Sequence, residues 1–379
     1  MRDVAKLVSR GTHRAVLAEE TWRRIMPMLP AMGITRVADV TGLDIIGIPV
    51  WQAIRPNGRT LSLSQGKGIS HELARVSGAM EAIETWHAEE GRMLPTVGAS
   101  VDEMTPALTY SLFDLPRPQR SILSGSTQLR WIAGREIGSE EPQWIPQICA
   151  VLDSTDPGFW SPPVLNCDSN GLASGNTVEE ALLHALYEAV ERDAVARRPA
   201  DRSGLELDPA TVWGCSAEVL DRFAAADVEV RVYDITHLSE LPCYEVEIWS
   251  ADLPVRFGGF GCHRDPDVAL SRALTEAAQS RLTCIAGSRD DLRSDVYEEL
   301  SSRPHLRSPF TPLEPARAFP PEGQAAVSSW EDDLHVAITA VRNLTGGAVL
   351  WVDLTRPEFD IPVVKVVIPG LQLRLDRIT

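Results

Sequence analysis

Three segments of the chain repeat one pattern of small residues followed by two acidic or amide side chains. The pattern Ala-x-x-x-small-x-x-Glu-Ala-x-(Glu/Gln) starts at Ala74 and returns at Ala181 and Ala269. Residues three apart lie on the same face of a helix. The pairs that would share a face are Glu81 with Glu84, Glu188 with Glu191, and Glu276 with Gln279.

A single Glu pair at this spacing is usually part of a solvated helix face. Three copies in one register favour a different interpretation, because their neighbours are Ala, Gly, Ile, Leu and Val and not Lys. If the three helices converge, five carboxylates meet, and each close pair repels by on the order of several kcal/mol. Such a cluster must take up protons or hold cations.

The ligand types indicate which cation this would be. Carboxylate oxygens without cysteine suit Mg²⁺, which keeps several waters and is commonly completed by substrate phosphates. The pattern therefore predicts a magnesium–nucleotide site. Candidate phosphate partners are Arg192, Arg272, Lys67, the loop at 169–177 and the basic start of the chain, although an arginine taken alone is more often a surface salt bridge. Gly66-Lys67-Gly68 lacks the Ser/Thr and the upstream Gly of a Walker A motif.

Two other kinds of site are less consistent with the sequence. Glu84 and His87 form a Glu-x-x-His, the pair used by di-iron carboxylate bundles. The second helix offers Glu188-x-x-Glu191 instead, and the chain is too rich in strand-like segments for a four-helix bundle. His184 is interpreted as a histidine that packs between helices. No Gly-x-Ser-x-Gly elbow or Cys/His pair stands out, so the catalytic residues stay unknown.

Composition excludes several classes of partner. The chain has 379 residues, 44% of them hydrophobic, and a formal net charge of −17. Nucleic acids and anionic membranes are bound by basic surfaces, so neither is expected as a partner. The six cysteines lack Cys-x-x-Cys spacing and are predicted to be reduced core thiols. With no signal peptide or membrane span evident, we expect a cytoplasmic protein.

Helices and strands alternate loosely along the chain, which predicts a mixed α/β domain. Each repeat helix has an expected N-cap: Ser70, Thr177 in a capping box with Glu180, and Asp265. Further helices are predicted near 216–226 and over 330–343, and strands within 45–56 and 129–137. The proline-rich stretch 302–323 is predicted to be irregular and exposed.

The segments "SGAMEAIE", "NGLASGNTVEEALLHALYEAVERDA" and "ALSRALTEAAQSR" resemble the YcaO family in order and in context. The likeness runs from about residue 60 to the end of the chain. It implies an α/β (mixed α+β) fold: one large domain with mixed sheets and three carboxylate-bearing helices around an ATP site. Residues 1–59 would form an N-terminal segment that contributes to the nucleotide site, and residues 60–379 the catalytic domain.

The resemblance also implies an activity and a set of site residues. Members of the family use ATP and Mg²⁺ to activate a backbone amide of a peptide. By motif position, the Mg²⁺-binding residues would be Glu81, Glu84, Glu188, Glu191 and Glu276. The nucleotide contacts would be Ser77, Asn176, Glu180, Arg192 and Arg272, with Lys6 and Arg14 on the phosphate side.

The N-terminal region resembles a subgroup of the family. "KLVSRGTHR", "GITRVADVTGLDIIGIPVWQAIRP" and "SQGKG" are similar to YcaO proteins encoded beside a TfuA protein. That subgroup is associated with thioamidation, the replacement of an amide oxygen by sulfur in a ribosomally made peptide or protein. The implied partners are such a substrate, a TfuA-like protein and a sulfur donor, and we expect a homodimer.

Two alternatives to thioamidation stay open. Azoline-forming members of the family often end in a proline-rich tail, whereas this chain ends "VVKVVIPGLQLRLDRIT", which weakens the interpretation as an azoline-forming cyclodehydratase. An ATP-binding accessory subunit that presents a peptide to a partner is the non-enzymatic alternative. The intact acidic motifs argue against it, because an unneeded cluster of like charges would destabilise the fold.

Overall fold

The fold is described from a computed structural model. It covers residues 5–139, 141–153, 155, 164–202, 204–289, 308–310, 317–323 and 329–373. Most of the stretch 302–323, predicted to be irregular, lies outside these ranges.

Seven α-helices and fifteen β-strands fall within the described residues. The helices are α1 (Ala18–Ile25), α2 (His71–Glu90), α3 (Val101–Met104), α4 (Val178–Arg197), α5 (Gly214–Ala225), α6 (Pro266–Ala286) and α7 (Trp330–Thr345). The strands are β1 (Leu7–Ser9), β2 (Thr12–Arg14), β3 (Arg36–Asp39), β4 (Val50–Ile54), β5 (Leu63–Lys67), β6 (Val97–Ser100), β7 (Gln128–Glu136), β8 (Pro142–Pro146), β9 (Leu172–Ser174), β10 (Glu206–Leu207), β11 (Glu229–Asp234), β12 (Cys243–Trp249), β13 (Phe257–Cys262), β14 (Leu350–Asp353) and β15 (Val363–Val367).

These strands form four sheets. The orders are β1-β2, β3-β4-β5, β10-β11-β12-β13 and β6-β7-β14-β15-β9, with β8 also paired to β7. All pairs of these strands are antiparallel. The fold is therefore mixed in that it combines helices with sheets, whereas the sheets do not combine parallel with antiparallel strands. The pair β4–β5 spans the expected boundary between residues 59 and 60, so both sides of that boundary share one sheet.

The three repeat helices each follow a strand at the same distance. β5 ends at Lys67 and α2 is capped by Ser70, three residues later. β9 and α4 repeat this spacing, as do β13 and α6. The sequence repeat is therefore a repeated strand–helix unit, of which the helix pattern is only the second half.

The three strand–helix units close into a ring. Each repeat helix packs against the strand of its own unit and the strand of the next: α2 contacts β5 and β9, α4 contacts β9 and β13, and α6 contacts β13 and β5. The other face of each helix lies in a hydrophobic cluster of its own. Ile83, Val190 and Leu274 are fully buried members of these three clusters.

Glycines and alanines bring two of the helices very close to their own strands. A Cβ at Gly66 of β5 would lie 1.9 Å from the backbone nitrogen of Gly78 in α2. A Cβ at Gly259 of β13 would lie 2.1 Å from the carbonyl oxygen of Ala273 in α6. The small residues of the repeat allow this close approach, and the partner is a glycine-bearing strand.

The N-caps are as predicted in position, but one differs in detail. Ser70 and Asp265 each accept a hydrogen bond from a backbone N–H of the first turn. Thr177 accepts one from the Glu180 N–H at 3.2 Å. The predicted capping box at Thr177 is only half formed, because the Glu180 carboxylate binds the N–H of Ala15 and the Asn176 side chain instead.

In the described part of the chain, no helix combines the length and the apolar character that a membrane crossing requires. The six cysteines are all unpaired in the structure. Four of them are buried and Cys149 is half-buried. Cys167 is exposed, so the prediction that all six cysteines lie in the core is wrong for this residue.

The strand–helix contact at Gly259 yields a test of the ring. We expect Gly259→Ala to lower the free energy of unfolding by several kcal/mol, because its methyl group would overlap the α6 backbone, which cannot move aside without displacing the helix. The matched control is Gly258→Ala on the same strand, whose methyl would meet nothing closer than 3.8 Å. Urea denaturation of both variants measures the difference, and equal stabilities would contradict the close packing.

Candidate functional site

The repeat places equivalent side chains on one stripe of each helix. Counted from the N-cap, positions seven, eleven and fourteen recur on the same face. They are Ser77, Glu81 and Glu84 on α2, His184, Glu188 and Glu191 on α4, and Arg272, Glu276 and Gln279 on α6. The sequence predicted the acidic members of these stripes. His184 stands on the α4 stripe, and its Nε2 lies 2.9 Å from Nη2 of Arg272 on α6, which agrees with the packing between helices expected for it.

Backbone N–H groups and a hydroxyl hold the carboxylates of α2. Glu84 accepts hydrogen bonds from the backbone nitrogen and the Oγ of Ser174, at 2.8 and 2.6 Å. Glu81 accepts one from the backbone nitrogen of Gln65, at 3.1 Å. Gln65 lies in β5 and Ser174 ends β9, so the two strands that flank α2 both bind its acidic stripe.

Cationic side chains meet the carboxylates of the other two helices. The Lys67 ammonium forms an ion pair with Glu276. Arg192 lies 3.6 Å from Glu191, measured from Nη2 to Oε1. The charges of Glu191, Glu276 and Glu188 raise the pKa of Arg192. The contact between Arg272 of α6 and His184 of α4 places the two stripes side by side.

Burial raises the pKa of most of these carboxyl groups. The pKa of Glu84 rises to about 8 and that of Glu188 to about 7, through burial and then through neighbouring carboxylates. Burial likewise raises the pKa of Glu81 and Glu191. Burial acts in the same direction on Glu276, but Lys67 and then Arg192 outweigh it and lower its pKa. The like-charge interactions connect all five groups into one cluster.

The donor chemistry of this cluster fits Mg²⁺, although the ligands are not gathered around one point. Oxygen donors with raised pKa values gain from a cation that replaces their protons. In the described part of the chain, no three His, Cys, Asp or Glu side chains are arranged to hold a metal ion. The carboxylates are bound instead by Ser174, the Gln65 N–H and Lys67.

The N-terminal hairpin β1–β2 lies over the start of α4. Arg14 Nη1 is 3.4 Å from Glu180 Oε1, and the Ala15 N–H donates to the same buried carboxylate at 3.0 Å. Asn176 also donates to Glu180, and Thr21 donates to Asn176 Oδ1 at 2.9 Å. The structure therefore joins three of the predicted nucleotide contacts, Arg14, Asn176 and Glu180, into one group.

Lys6 and Ser77 have other surroundings. The Lys6 ammonium pairs with buried Asp333, which Arg264 also contacts at 2.6 Å, and it lies over the Trp330 ring at 5.5 Å. None of these described contacts of Lys6 is with the five carboxylates. Ser77 is half-buried, on the α2 stripe one turn before Glu81.

A cavity of about 470 Å³ opens between the hairpin, the start of α2 and α5. Its walls are largely apolar and include Leu7, Leu73 and Val219, with Arg14 at the edge. Leu73 lies four residues before Ser77 and so continues the α2 stripe. Arg14 lines the cavity and contacts Glu180, so the cavity lies next to Glu180. Leu73 also lines the cavity and lies on the same face of α2 as Glu81.

His87 lies outside the cluster, as expected without a di-iron centre. Its Nδ1 lies 2.8 Å from the Ile83 carbonyl oxygen, and its ring packs edge-on against Trp86. Burial lowers its pKa to about 4, so the ring is neutral.

Three site residues were missed or only partly anticipated. Lys67 was predicted as a phosphate partner but not as the partner of Glu276, and Ser174 and Gln65 were not singled out. A signal for two of them exists, because Lys67 and Ser174 both stand three residues before an N-cap. That signal becomes visible only once the repeat is extended from the helix to the strand before it.

A family model described as "YcaO cyclodehydratase", ATP- and Mg²⁺-binding, matches residues 65–372. The protein therefore belongs to the YcaO family, a family of ATP-dependent enzymes. The match confirms ATP and Mg²⁺ as the predicted cofactors.

Similar proteins extend over nearly the whole chain. An uncharacterized protein of Mycobacterium tuberculosis is 40% identical over 366 residues, 96% of this chain and 83% of that protein. An uncharacterized protein in the tfuA 3′ region of Rhizobium leguminosarum bv. trifolii is 37% identical, over 95% of this chain and 89% of that protein. The structure of YcaO from Methanopyrus kandleri bound with AMPPCP and Mg²⁺ aligns with a TM-score of 0.72 at 24% identity, covering 98% of this chain and 95% of that one. This likeness confirms the fold.

The raised pKa values predict how stability depends on pH when metal and nucleotide are absent. A carboxyl whose folded pKa lies above its ordinary value of 4.5 stabilises the fold below that value, and this stabilisation is lost as the pH rises through the folded pKa. For Glu188 and Glu84 that window ends at about 7 and about 8. We expect the free energy of unfolding to fall by on the order of a few kcal/mol between about pH 5 and about pH 8.

Glu84→Gln should flatten this profile, because the amide keeps the shape and loses the ionisation. Glu218→Gln, which removes a carboxyl that is 61% exposed, is the control and should leave the profile as it is. Urea denaturation at constant ionic strength gives the profiles. Stability that is constant or rises over this range in the wild type would count against a buried like-charge cluster.

Proposed function

We propose that this protein uses Mg-ATP to activate a backbone amide of a peptide and that sulfur replaces the amide oxygen, giving a thioamide. The observation that carries the proposal is the cluster of five carboxylates on three helices, with Lys67 and Arg192 among them. A largely half-buried acidic cluster with adjacent cations suits a bound divalent metal and the phosphates that the metal accompanies. The location of a relative in the tfuA 3′ region supports the thioamide product.

The residues divide into two groups in this proposal. Mg²⁺ would be held by the helix carboxylates, Glu81, Glu84, Glu188, Glu191 and Glu276. Nucleotide contacts would come from Ser77, Asn176, Glu180, Arg192 and Arg272, with Lys6 and Arg14 from the N-terminal segment. The contact between Arg14 and Glu180 supports a role for residues 1–59 at the nucleotide site.

The cavity beside Arg14 suits the nucleoside. Its apolar walls would take the faces of a flat base, and it lies between α5 and the N-terminal end of α2, where Leu73 stands one turn before Ser77. Eight residues separate Glu180 from Glu188, which is about 12 Å along a helix. That span is comparable to the distance from a nucleoside to its terminal phosphate.

The bond changes need no covalent nucleophile from the protein. Hydrosulfide attacks the carbonyl carbon, and the resulting oxyanion takes the γ-phosphoryl group of ATP. The phosphorylated oxygen then leaves as phosphate, with the loss of one proton, and the products are the thioamide, ADP and phosphate. The helix carboxylates would hold Mg²⁺, which would supply positive charge to neutralise the transferring group. Arg192 and Arg272 would supply further positive charge there, and the helices would fix the positions.

Formation of an azoline is the second candidate, and the family description as cyclodehydratases favours it. The nucleophile would then be a Cys, Ser or Thr side chain of the substrate, and the same residues would serve the ATP step.

In thioamide formation, a TfuA-like protein would deliver the sulfur or the peptide. The active form is proposed to be a homodimer. Turnover of ATP by the purified chain with its peptide would separate both from an accessory subunit that only presents the peptide.

The metal-binding assignment can be tested on single carboxylates. We expect Glu81→Gln and Glu191→Gln each to lower the affinity for Mg-AMPPCP at least tenfold, because each removes a charged ligand of the shared cluster, while the fold is retained. Isothermal titration measures the affinities. Glu72→Gln, on the exposed first turn of α2, is the matched control. Unchanged affinity in both site variants would refute the shared site.

The product can be read from the mass of a modified peptide. Exchange of oxygen for sulfur adds about 16 Da, and ring closure with loss of water removes about 18 Da, as the atomic masses of the two reactions of the activated amide require. We expect the gain when purified protein, Mg-ATP, a candidate peptide and sulfide are combined with the TfuA-like partner, and no ATP use when peptide or sulfide is omitted. Loss of water from a Cys-containing peptide without sulfide would favour the azoline reaction.

A further inference from the structure

Lys67 lies beside the carboxylates of the proposed site but is not one of its assigned metal ligands or nucleotide contacts. It is the last residue of β5, and its ammonium forms an ion pair with Glu276 of α6. β5 contacts both α2 and α6, and the N–H of Gln65, two residues before Lys67, donates to Glu81 of α2. Lys67 therefore stands on a strand that lies between the acidic stripes of two repeat helices.

The backbone on both sides of Lys67 is fixed. Gly66 lies against Gly78 of α2 with no room for a Cβ, and a Cβ at Gly68 would lie 2.8 Å from the Cβ of Leu73. The Gly68 N–H also donates to the Pro49 carbonyl oxygen at 3.3 Å. The long side chain of Lys67 is thus the movable part: its charged end can change partner while its Cα stays in place.

One of the other two strand–helix units shows that a side chain at this position can reach an acidic stripe. Ser174 ends β9 at the equivalent position, and its hydroxyl and N–H bind Glu84 of the neighbouring helix. Cys262 is the third equivalent residue, at the end of β13. Lys67 is the cation among these three positions, and it is aimed at α6, whose stripe carries a single carboxylate.

We propose that Lys67 is a placeholder cation: its ammonium neutralises Glu276 in the free protein, gives up that carboxylate when a divalent metal ion binds, and then contacts a phosphate of the nucleotide. This inference rests on the proposed Mg-ATP site and adds a residue and an order of events to it. It explains how Glu276 can be a half-buried side chain paired with Lys67 in the free protein and a metal ligand afterwards.

The proposal predicts that removal of the Lys67 charge changes the affinities for Mn²⁺ alone and for Mg-AMPPCP in opposite directions. In Lys67→Met, Glu276 loses its competing partner and the metal ion meets one positive charge fewer, so Mn²⁺ alone should bind on the order of tenfold more tightly. Mg-AMPPCP should bind on the order of tenfold more weakly, because a phosphate contact is lost. A residue that only supports the fold would weaken both.

Isothermal titration with Mn²⁺ alone and with Mg-AMPPCP measures the two affinities in wild type, Lys67→Met and Lys67→Arg. Lys67→Arg keeps the charge and should leave Mn²⁺ binding within about twofold of wild type. Arg342→Met removes an ion pair with Glu136 outside the ring and is the control for loss of one cation. Should Lys67→Met fail to fold, Lys67→Gln replaces it in the same comparison.

Unchanged or weaker Mn²⁺ binding in Lys67→Met would overturn the placeholder role, even with nucleotide binding reduced. Wild-type protein that binds Mn²⁺ but no nucleotide would overturn the proposed function instead. In that case the comparison of Mn²⁺ affinities still decides whether Lys67 competes with the metal. Tighter Mn²⁺ binding together with weaker nucleotide binding supports both proposals.

Discussion

The rest of the structure depends on the confinement of five carboxylates in one ring. Charges of the same sign that lie close together raise the free energy of the folded state. Burial raises it further because it removes water from the carboxylates. The fold compensates in three ways: N–H and hydroxyl donors bind Glu81 and Glu84, Lys67 pairs with Glu276, and the remaining groups bind protons more tightly than usual. Each of these is a weaker substitute for a divalent cation.

The ring can hold these charges in register because its backbone contacts are so close. Where Gly66 meets Gly78 and Gly259 meets Ala273, strand and helix touch without intervening side chains. A shift of one residue in either contact would bring a side chain into the backbone. The glycines thus fix the rotation of α2 and α6 about their axes, and this rotation decides which side chains face the centre of the ring.

Sequence patterns predicted the local parts of this arrangement and missed the long-range ones. The acidic stripes and their N-caps follow from helix periodicity, and α2, α4 and α6 were correctly placed. The closing of the ring depends on strand pairs and on packing between residues far apart in the chain. The spacing of residues within a local motif does not show which distant segments will meet. Glu180 illustrates the difference: its position three after Thr177 predicts a capping box, but its carboxylate binds the distant Ala15 N–H instead. Lys6 likewise pairs with Asp333, more than three hundred residues away.

The three units are not equivalent, and their difference gives the ring a direction. Gln279 stands where the other helices carry Glu84 and Glu191, so α6 brings one carboxylate, and Lys67 already neutralises it. The carboxyl groups with raised pKa values therefore belong to α2 and α4. Lys67 and Arg272 stand at the α6 side of the ring. Under the proposed function, this separation orients a nucleotide: the metal ion is drawn first towards α2 and α4, and the anionic phosphates towards Lys67 and Arg272. A ring of three identical acidic units would attract the same cation without defining which way the phosphates lie.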